Sequence, residues 1–528
     1  MNRHTFTMLA TVFCIAVLMP VRANAQAERA SKPNVVVILA DDLGYGDVQC
    51  YNRERGKIPT PNIDRVAAEG IRFTDGHCSS GCCSPSRYTL LTGRYHWRSR
   101  LQQGIVGVWE QPLIAPERMT IASLAKGQGY RTACIGKWHL GWDWPITPEQ
   151  MQHFRGLGGK AGGGGAIVTE ATDAHRATWA EVFAKPIPGG PTTRGFDEYF
   201  GTDVPNWPPY CFIENDRTLG IPTELLSADL LIRNQASLQG PALKDWKLEP
   251  ILPTLGERAA DFISRQAKAA QPFLLYLPLT APHTPITPSA AWRGKSGLGD
   301  YGDFVMQTDA VIGRVLDALE QNGVTNNTFV LVTSDNGCAS VVGPATLEAK
   351  GHFPSGPLRD YKASVYEGGH REPFLVRWPG VVKPGSVNGQ YVHQADLMAT
   401  LAEIWGASLP ANAGEDSFSF LPLLKGSDKP IREHGVNTAC NGLPSLRRGP
   451  WKLVLAADAE AKTDAQLYNL ERDLGETTNV AAENPALVTE MRGLLEKLIV
   501  DGRSTPGQVQ KNDVRVRRYP ISAATKAK

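Results

Sequence analysis

The sequence has almost no net charge, and after its first residues it has no long apolar run. Its 55 Lys and Arg residues balance 53 Asp and Glu residues, which leaves a formal net charge of +2. A balance of this kind gives no overall attraction to polyanions, so we expect no nucleic-acid partner. No later stretch is long and apolar enough to cross a membrane, and no internal repeat is evident. The length of 528 residues suggests two or more domains, or one large domain with an appendage.

Cysteine is also scarce, at nine in 528 residues. A set this small and unevenly spaced does not reveal which cysteines pair, because pairing cannot be read from sequence alone. Cys78 and Cys82 lie close to Cys83 in the chain, and we interpret each of these two neighbours as a structural thiol.

The N-terminal residues are typical of a secretory signal peptide. Arg3 and His4 precede an apolar run over residues 6–19, and the small residues of 23–25 provide a cleavage site. We therefore predict a signal peptide over residues 1–25 and an exported mature protein, either periplasmic or secreted. The apolar run is too short for a membrane span.

Buried strands and helices alternate over residues 31–425, which we predict to form a single catalytic domain. The strands are predicted over 34–40, 71–74, 130–135, 272–280, 328–333 and 374–378, with intervening helices that include 61–69, 255–269 and 304–322. This alternation predicts an α/β fold with a doubly wound sheet. Residues 426–505 change to short strands and one amphipathic helix, 485–500, and predict a small C-terminal subdomain. Residues 506–528 are basic and predict a mobile tail.

Polar side chains follow four of the predicted strands at equivalent places. They are Asp41 and Asp42, Lys137 and His139, His283, and Asp335 and Asn336. In open α/β sheets, the crevice beyond the carboxyl ends of the strands is where ligands bind. Two adjacent carboxylates repel each other unless a cation lies between them, and oxygen ligands suit calcium or magnesium. No cysteine and histidine set accompanies them, which argues against a zinc phosphatase.

Residues 81–93 predict a short helix that begins beside a cysteine pair. Ser84 can cap this helix, Pro85 suits its first position, and Gly93 can end it. On this reading Cys83 lies just outside the helix N-terminus, where free N–H groups favour a thiolate or an oxyanion. Arg87, one turn along, adds a full positive charge.

The motif Cys83-Ser84-Pro85-Ser86-Arg87, followed by Leu91-Thr92-Gly93-Arg94, resembles the signature of type I sulfatases. Cys83 fits this register and Cys82 does not. Residues 194–201 and 358–371 resemble further sulfatase segments, and the resemblance extends over about residues 33–500, nearest to the arylsulfatase A and N-acetylgalactosamine 6-sulfatase group. It implies an alkaline-phosphatase-like doubly wound mixed sheet flanked by helices, with a smaller C-terminal α+β subdomain.

The resemblance implies that Cys83 is oxidised to formylglycine, by a formylglycine-generating enzyme or an anaerobic sulfatase-maturating enzyme as partner. It also implies calcium, in preference to magnesium, on Asp41, Asp42, residue 83, Asp335 and Asn336. Positive charge around the sulfate would come from Arg87, Lys137 and Lys362, where Lys137, Lys362 and His283 contact the substrate.

In the implied mechanism, one hydroxyl of the hydrated aldehyde at position 83 attacks sulfur. His283, together with Lys362, protonates the departing oxygen. His139 then removes a proton from the other hydroxyl, so that sulfate leaves and the aldehyde returns.

Two other functions remain compatible with the sequence. The first is a phosphate or phosphonate monoester hydrolase of the same superfold, and the second is a non-catalytic glycan-binding relative. The irregular insertion between Gly141 and Gly201, and the tryptophans Trp142, Trp144, Trp179 and Trp207, favour a sulfated saccharide as substrate, although core packing is the simpler role for each ring alone.

Overall fold

The computed structural model describes residues 32–518, except 156, 158–167, 232–236, 270 and 456–464. The predicted signal peptide, residues 1–25, and the last ten residues of the predicted tail lie outside the described residues. Among the helices that are described, none combines the length and the apolar character that a membrane crossing requires.

Sixteen strands and eleven α-helices make up the described structure. The strands are β1 (Asn34–Asp41), β2 (Ile71–His77), β3 (Arg131–Lys137), β4 (Glu198–Thr202), β5 (Ile213–Glu214), β6 (Arg217–Thr218), β7 (Glu224–Leu225), β8 (Pro241–Ala242), β9 (Phe273–Pro282), β10 (Thr328–Ser334), β11 (Phe374–Arg377), β12 (Ser386–His393), β13 (His434–Thr438), β14 (Pro444–Arg448), β15 (Trp451–Val454) and β16 (Gln466–Asn469). The helices are α1 (Pro61–Glu69), α2 (Cys83–Thr92), α3 (Ile121–Gly127), α4 (Asp173–Phe183), α5 (Ile251–Ala267), α6 (Asp300–Gln321), α7 (Pro344–Ala349), α8 (Glu367–His370), α9 (Leu397–Trp405), α10 (Leu421–Leu424) and α11 (Pro485–Val500).

The main sheet has ten strands in the order β12-β2-β11-β10-β1-β9-β3-β4-β5-β6. Strands β10, β1, β9, β3 and β4 pair in parallel, whereas β11 is antiparallel to both of its neighbours. The predicted doubly wound mixed sheet is thereby confirmed. The non-consecutive order means that helices cross over both faces, as parallel neighbours require.

Strand β1 lies at the centre of the sheet and separates two apolar cores. Val35, Val37 and Leu39 pack into one core, and Val36 and Ile38 pack into the other. Because successive side chains of a strand point to opposite faces, a continuous apolar run is what burial on both faces demands. All eight residues of β1 are buried.

Helix α2 begins earlier than we predicted. Its N-cap is Cys82, and Cys83 is the first helical residue and not a residue outside the helix. Ser84 does not cap the helix, because its hydroxyl accepts a hydrogen bond from the Val106 N–H at 3.1 Å. Pro85 lies in the first turn, where N–H groups have no intrahelical partner and proline is tolerated. Gly93 ends the helix in the left-handed conformation, with φ of 63°, as predicted.

The C-terminal subdomain is a four-stranded antiparallel sheet, β13-β14-β15-β16, with helix α11 packed on it. Its contact with the catalytic domain includes a buried ionic network. Lys452 Nζ lies 2.9 Å from Glu367 Oε1 and 2.8 Å from Glu476 Oε1. Lys452 and Glu476 belong to the small subdomain and Glu367 to the large one, so this lysine joins the two.

Residues 506–518 of the predicted mobile tail are packed against the catalytic domain. Asp513 Oδ1 accepts from Arg94 Nη2 at 3.0 Å, and the Asp513 N–H donates to the Arg98 carbonyl at 2.8 Å. These contacts hold Asp513 against the catalytic domain, and the mobility of the tail stays a prediction. The basic composition of this stretch did not indicate that its one acidic residue, Asp513, pairs with the buried Arg94.

We expect Lys452→Met to destabilise the folded protein by about 3–5 kcal/mol, because it leaves Glu476 buried without its cation and leaves Glu367 with Arg371 alone. Urea unfolding followed by tryptophan fluorescence measures this loss. Arg448→Met is the matched control, since Arg448 lies on the preceding strand and pairs with an exposed glutamate, and such pairs contribute about 0–1 kcal/mol. Equal losses for the two variants would contradict the role given to Lys452.

Candidate active site

The four predicted strand ends meet at one edge of the main sheet. Strands β10, β1, β9 and β3 are neighbours and run in the same direction, so their carboxyl ends lie side by side. The predicted residues brought together there are Asp41, Asp42, Lys137, His139, His283, Asp335 and Asn336. Each of them is buried. Cys83 and Arg87 reach the same place from helix α2, and Lys362 reaches it from the loop before α8.

Carboxylate and amide oxygens converge at the ends of β1 and β10. The Asp42 N–H donates to Asp335 Oδ1 at 3.1 Å, and Asn336 Nδ2 donates to Asp42 Oδ1 at 2.7 Å. Asp42 Oδ2 and Asn336 Oδ1 are buried and find no hydrogen-bond donor in the described part of the chain. Buried oxygens without a donor are costly, so this donor set fits a hard divalent cation. Ligand atoms of Asp41, Asp42, Cys83 and His283 also lie within 4.8 Å of one another.

The carboxylates are crowded, and their pKa values reflect it. Burial, followed by the neighbouring charge of Asp41, raises the pKa of Asp335 to about 7. Burial opposes ionisation of Asp41 as well, but Lys137 and His283 hold the pKa of Asp41 well below its usual value. A bound cation would favour the ionised form of all three carboxylates. The site therefore combines a cluster of acids with positive groups that keep Asp41 ionised, whereas Asp335 retains a raised pKa.

Two of the three positively charged side chains, Lys137 and Arg87, are buried and contact the carboxylates. Lys137 Nζ bonds both oxygens of Asp41, at 3.0 and 2.8 Å. Arg87 donates from Nε and Nη2 to Asp335 Oδ2, at 3.0 and 2.8 Å, and from Nη1 to the Lys137 carbonyl at 3.1 Å. Arg87 has no exposed surface. Hydrogen bonds from the Arg87 guanidinium therefore fix the position of the Asp335 carboxylate.

Lys362 occupies a more open position. Its Nζ donates to Asp42 Oδ1 at 2.6 Å and lies 3.6 Å from Cys83 Sγ. The Lys362 side chain is 21% exposed, whereas Lys137 is completely buried. Lys362 is therefore the ammonium group that a ligand entering over Cys83 meets first.

The loop that carries Lys362 packs tightly on two glycines. A Cβ on Gly368 would lie 2.1 Å from the Asp360 carbonyl oxygen, and a Cβ on Gly369 would lie 2.3 Å from that of Ser364. No side chain fits at either position. The two glycines therefore allow the backbone of this loop to approach closely.

Cys83 is poorly suited to act as a thiolate. Burial raises the pKa of its thiol to about 12, against the opposing effects of Lys137 and Lys362. The thiolate is the nucleophilic form of cysteine, so almost none of it is present at neutral pH. An unmodified Cys83 would accordingly be a weak nucleophile.

His139 presents one ring nitrogen to the site as a base. Its Nε2 lies 3.1 Å from the Val106 carbonyl oxygen, which can only accept, so Nε2 carries the proton. Its Nδ1 is buried without a hydrogen-bond partner among the described residues. Burial, followed by Lys137 and Arg87, keeps the pKa of His139 well below its usual value. Nδ1 therefore has a free lone pair.

His283 lies on the other side of the acid cluster. Its Nδ1 donates to the Thr284 carbonyl, and its Nε2 lies 3.7 Å from Asp42 Oδ2. Burial lowers the pKa of His283 to about 4, although Asp41 and Asp42 act in the opposite direction. A bound anion would raise this pKa, because negative charge nearby favours the imidazolium. Nε2 is then the atom that can deliver a proton.

Asp203 is a site residue that our sequence analysis missed. Its Oδ1 accepts from the His139 N–H and from Trp142 Nε1, each at 3.1 Å. His139 has a φ of 54°, a left-handed conformation that a non-glycine residue adopts only when its surroundings impose it. Asp203 follows strand β4, which is parallel to β3. If strand β4 had been predicted, Asp203 would have been identified as a polar residue that follows the end of a parallel strand.

Comparison with known protein families gives two matches. The Sulfatase family model matches residues 33–407, and a model described as N-sulphoglucosamine sulphohydrolase, C-terminal, matches residues 360–501. The first match alone spans more than half of the chain.

Individual relatives agree with these matches. An N-acetylgalactosamine-6-O-sulfatase from Bacteroides thetaiotaomicron is 33% identical over 495 residues, which cover 89% of this chain and 94% of that protein. Arylsulfatase A from Homo sapiens is 30% identical over 518 residues and covers 92% of each chain. A solved structure from work on the metabolism of multiple glycosaminoglycans by Bacteroides thetaiotaomicron has a TM-score of 0.75 at 32% identity, and the match covers 89% of this chain and 99% of that chain. Such structural neighbours share the alkaline-phosphatase-like sheet that we predicted.

The oxygen cluster generates a direct test of cation binding. We expect calcium to raise the thermal midpoint of chelator-treated wild-type protein, since a ligand at 100 times its Kd stabilises by about 2.7 kcal/mol. Asn336→Ala should remove most of this rise. Asp309→Asn is the control, because Asp309 is a buried acid that accepts from the Ile63 N–H at 2.8 Å, outside the cluster. A full calcium effect in Asn336→Ala would contradict the assignment.

Proposed function

The chain belongs to the sulfatase family and is a sulfuric ester hydrolase, and on this basis we propose that it is an exported, calcium-dependent enzyme that removes sulfate from saccharides. We further propose that its nucleophile is formylglycine made from Cys83. One observation carries the proposal: orphaned oxygens, three cations and Cys83 converge on a single buried edge of the sheet.

Calcium is the proposed metal, held by Asp41, Asp42, Asp335, Asn336 and the oxidised side chain of residue 83. Four of the five proposed ligands are oxygen-bearing side chains, as calcium prefers. His283 is the one imidazole grouped with Asp41, Asp42 and Cys83, and we assign it to proton transfer. When bound, calcium would supply positive charge against the sulfate oxygens. Arg87 contributes by holding Asp335 and Asp41, since its donors are directed at those acids.

Oxidation of Cys83 would provide the nucleophilic group that the unmodified thiol lacks. A hydrated aldehyde would offer hydroxyl groups on one carbon, the first to attack sulfur and the second to regenerate the aldehyde. The raised pKa of the Cys83 thiol supports this proposal, because the unmodified side chain is a weak nucleophile.

Lys137 and Lys362 are the proposed sulfate contacts, with Lys362 the more accessible of the two. His283 would donate the proton from Nε2 to the departing oxygen, helped by Lys362. His139 would accept a proton at Nδ1, which the Val106 carbonyl keeps deprotonated by engaging Nε2. Asp203 has a positioning role, because it bonds the His139 backbone and not the ring.

A sulfated saccharide is the proposed substrate class, and 6-O-sulfated N-acetylgalactosamine is the first compound to test. The name of the Bacteroides relative motivates this choice. Three of the four tryptophans that we considered as sugar platforms, Trp142, Trp144 and Trp179, are buried in the core. Trp207 is partly exposed, and its ring lies edge-on to His139 with centroids 5.3 Å apart. It is the proposed contact for a sugar ring.

A phosphate or phosphonate monoester hydrolase remains the second candidate, since the same cations would accept a phosphoryl group. Relative rates on matched sulfate and phosphate esters separate the two. The non-catalytic alternative is not favoured, because every predicted catalytic side chain is present. Export rests on the sequence of residues 1–25, and the proposed mature domains are 31–425 and 426–505.

Protein isolated from its natural host should contain an aldehyde in place of the thiol at position 83, which peptide mass spectrometry detects as replacement of sulfur and two hydrogen atoms by one oxygen atom. Cys83→Ala should lose sulfate release from a panel of sulfated saccharides altogether. Cys134→Ala is the control, as a buried cysteine of strand β3. An intact thiol together with full activity would rule out the proposed nucleophile.

His283→Asn should lower kcat on a sulfated monosaccharide by about 10²–10⁴-fold, the usual contribution of a general acid. The loss should be much smaller on nitrophenyl sulfate, whose leaving group needs no proton. Steady-state kinetics with both substrates measure the difference, and His434→Asn in the small subdomain serves as control. If the loss is equal on both substrates, His283 is not the acid.

A further inference from the structure

Two cysteines face each other where the start of helix α2 meets the C-terminal subdomain. Ser80 and Thr438 form a parallel β-bridge, supported by a hydrogen bond of 2.9 Å from the Gly81 N–H to the Thr438 carbonyl. Cys82 and Cys440 each lie two residues beyond this bridge. A disulfide needs Cα atoms about 4.4–6.8 Å apart. The bridge keeps the two segments adjacent at Ser80 and Thr438, two residues before each cysteine.

The thiols of Cys82 and Cys440 are in hydrogen-bond contact with each other. Cys82 Sγ lies 3.5 Å from the Gly104 carbonyl oxygen, and the Gly104 N–H donates to the Cys440 carbonyl at 2.6 Å. Gly104 thus contacts both Cys82 and Cys440. The hydrogen bond between the two thiols lowers the pKa of Cys440, as expected when Cys82 donates to Cys440.

We propose that Cys82 and Cys440 form a disulfide bond in the exported protein. Nothing in the family matches assigns this bond, and our own sequence analysis gave Cys82 only a structural role as a thiol. The inference requires the oxidising compartment that export provides. It requires no part of the sulfatase chemistry, so either proposal can fail without the other.

The bond would form by thiol–disulfide exchange with an oxidant that carries a disulfide. Cys440 is partly exposed and has the lowered pKa, so its thiolate attacks one sulfur of the oxidant, whose S–S bond breaks. The Cys82 sulfur then attacks Cys440 Sγ and displaces the oxidant sulfur to which Cys440 had become bonded. The two thiol protons end on the oxidant, which gains two electrons as the cysteine pair loses two.

The bond would tie together three segments that build the site. The Ala363 N–H donates to the Gly81 carbonyl at 2.7 Å, and the Cys440 N–H donates to the Ala363 carbonyl at 3.0 Å. Ala363 follows Lys362, so the backbone of the lysine loop lies between the two cysteines. The bond would also occupy the thiol next to Cys83 and leave Cys83 alone available for oxidation to the aldehyde.

Cys78 offers a matched comparison. It lies in the same tryptic peptide as Cys82, residues 73–87, and it is buried like Cys82. Its sulfur, however, contacts the Ser80 carbonyl at 3.1 Å and the His370 carbonyl at 3.4 Å. It also lies 3.8 Å from Glu372 Oε1, so the contacts of Cys78 are with oxygen atoms and none is with Cys440.

Non-reducing tryptic mapping of the full-length protein, secreted or isolated from an oxidising compartment and alkylated before digestion, tests the proposal. We expect peptides 73–87 and 433–447 to be joined, and the joined species to disappear on reduction. It should be absent from Cys440→Ser and present in Cys78→Ser. Fragmentation should locate the link at Cys82. Free thiols at Cys82 and Cys440, or a link from Cys440 to Cys78 or Cys83, would overturn the proposal.

Thermal unfolding supplies a second readout that does not depend on the folding of a Cys82 variant. Reductant should lower the midpoint of the wild-type protein by several degrees, because a link that closes so long a loop restricts the unfolded chain. It should leave Cys440→Ser unchanged, and sulfate release is recorded separately on the same samples. An equal response of wild type and Cys440→Ser to reductant would count against the bond.

Discussion

The mutual repulsion of three buried carboxylates is the constraint on which the site depends. Asp41, Asp42 and Asp335 lie at the ends of two paired strands, where the sheet removes them from water. Such a cluster is stable only with positive charge close by. Arg87 and Lys137 provide that charge from fully buried positions, and each comes from an element packed against β1 or its neighbours. This balance of carboxylates and positive groups allows the site to bind a cation, and an anion can then bind next to that cation.

Much of this arrangement was predictable, because it follows from strand patterns. A continuous apolar run signals a strand buried on both faces, and the first polar residues after it mark the strand end. Parallel strands bring such ends together, so Asp41, His283 and Asp335 could be grouped without a structure. Helix α11 was predicted with its observed bounds, since Pro485 and the apolar spacing mark it clearly.

The remaining features depend on contacts between distant segments, which local patterns do not encode. The start of helix α2 was misplaced because the Ser84 hydroxyl is engaged by Val106, a residue 22 positions away. Asp203 was missed because its strand has only five residues and includes a glycine, which weakens the strand pattern. The direction of the Arg87 side chain, toward acids and not toward the pocket, is set by the packing of α2 on the sheet.

The position of Lys452 means that the small subdomain is not an independent appendage. Glu367, its partner in the large domain, lies five residues after Lys362, on the short helix that ends the same loop. A shift of the C-terminal sheet would be passed along that loop to the ammonium group over Cys83. Evolutionary change in the small subdomain is consequently restrained by chemistry that takes place in the large one, and a C-terminal region exchanged between relatives would have to bring a matching cation with it.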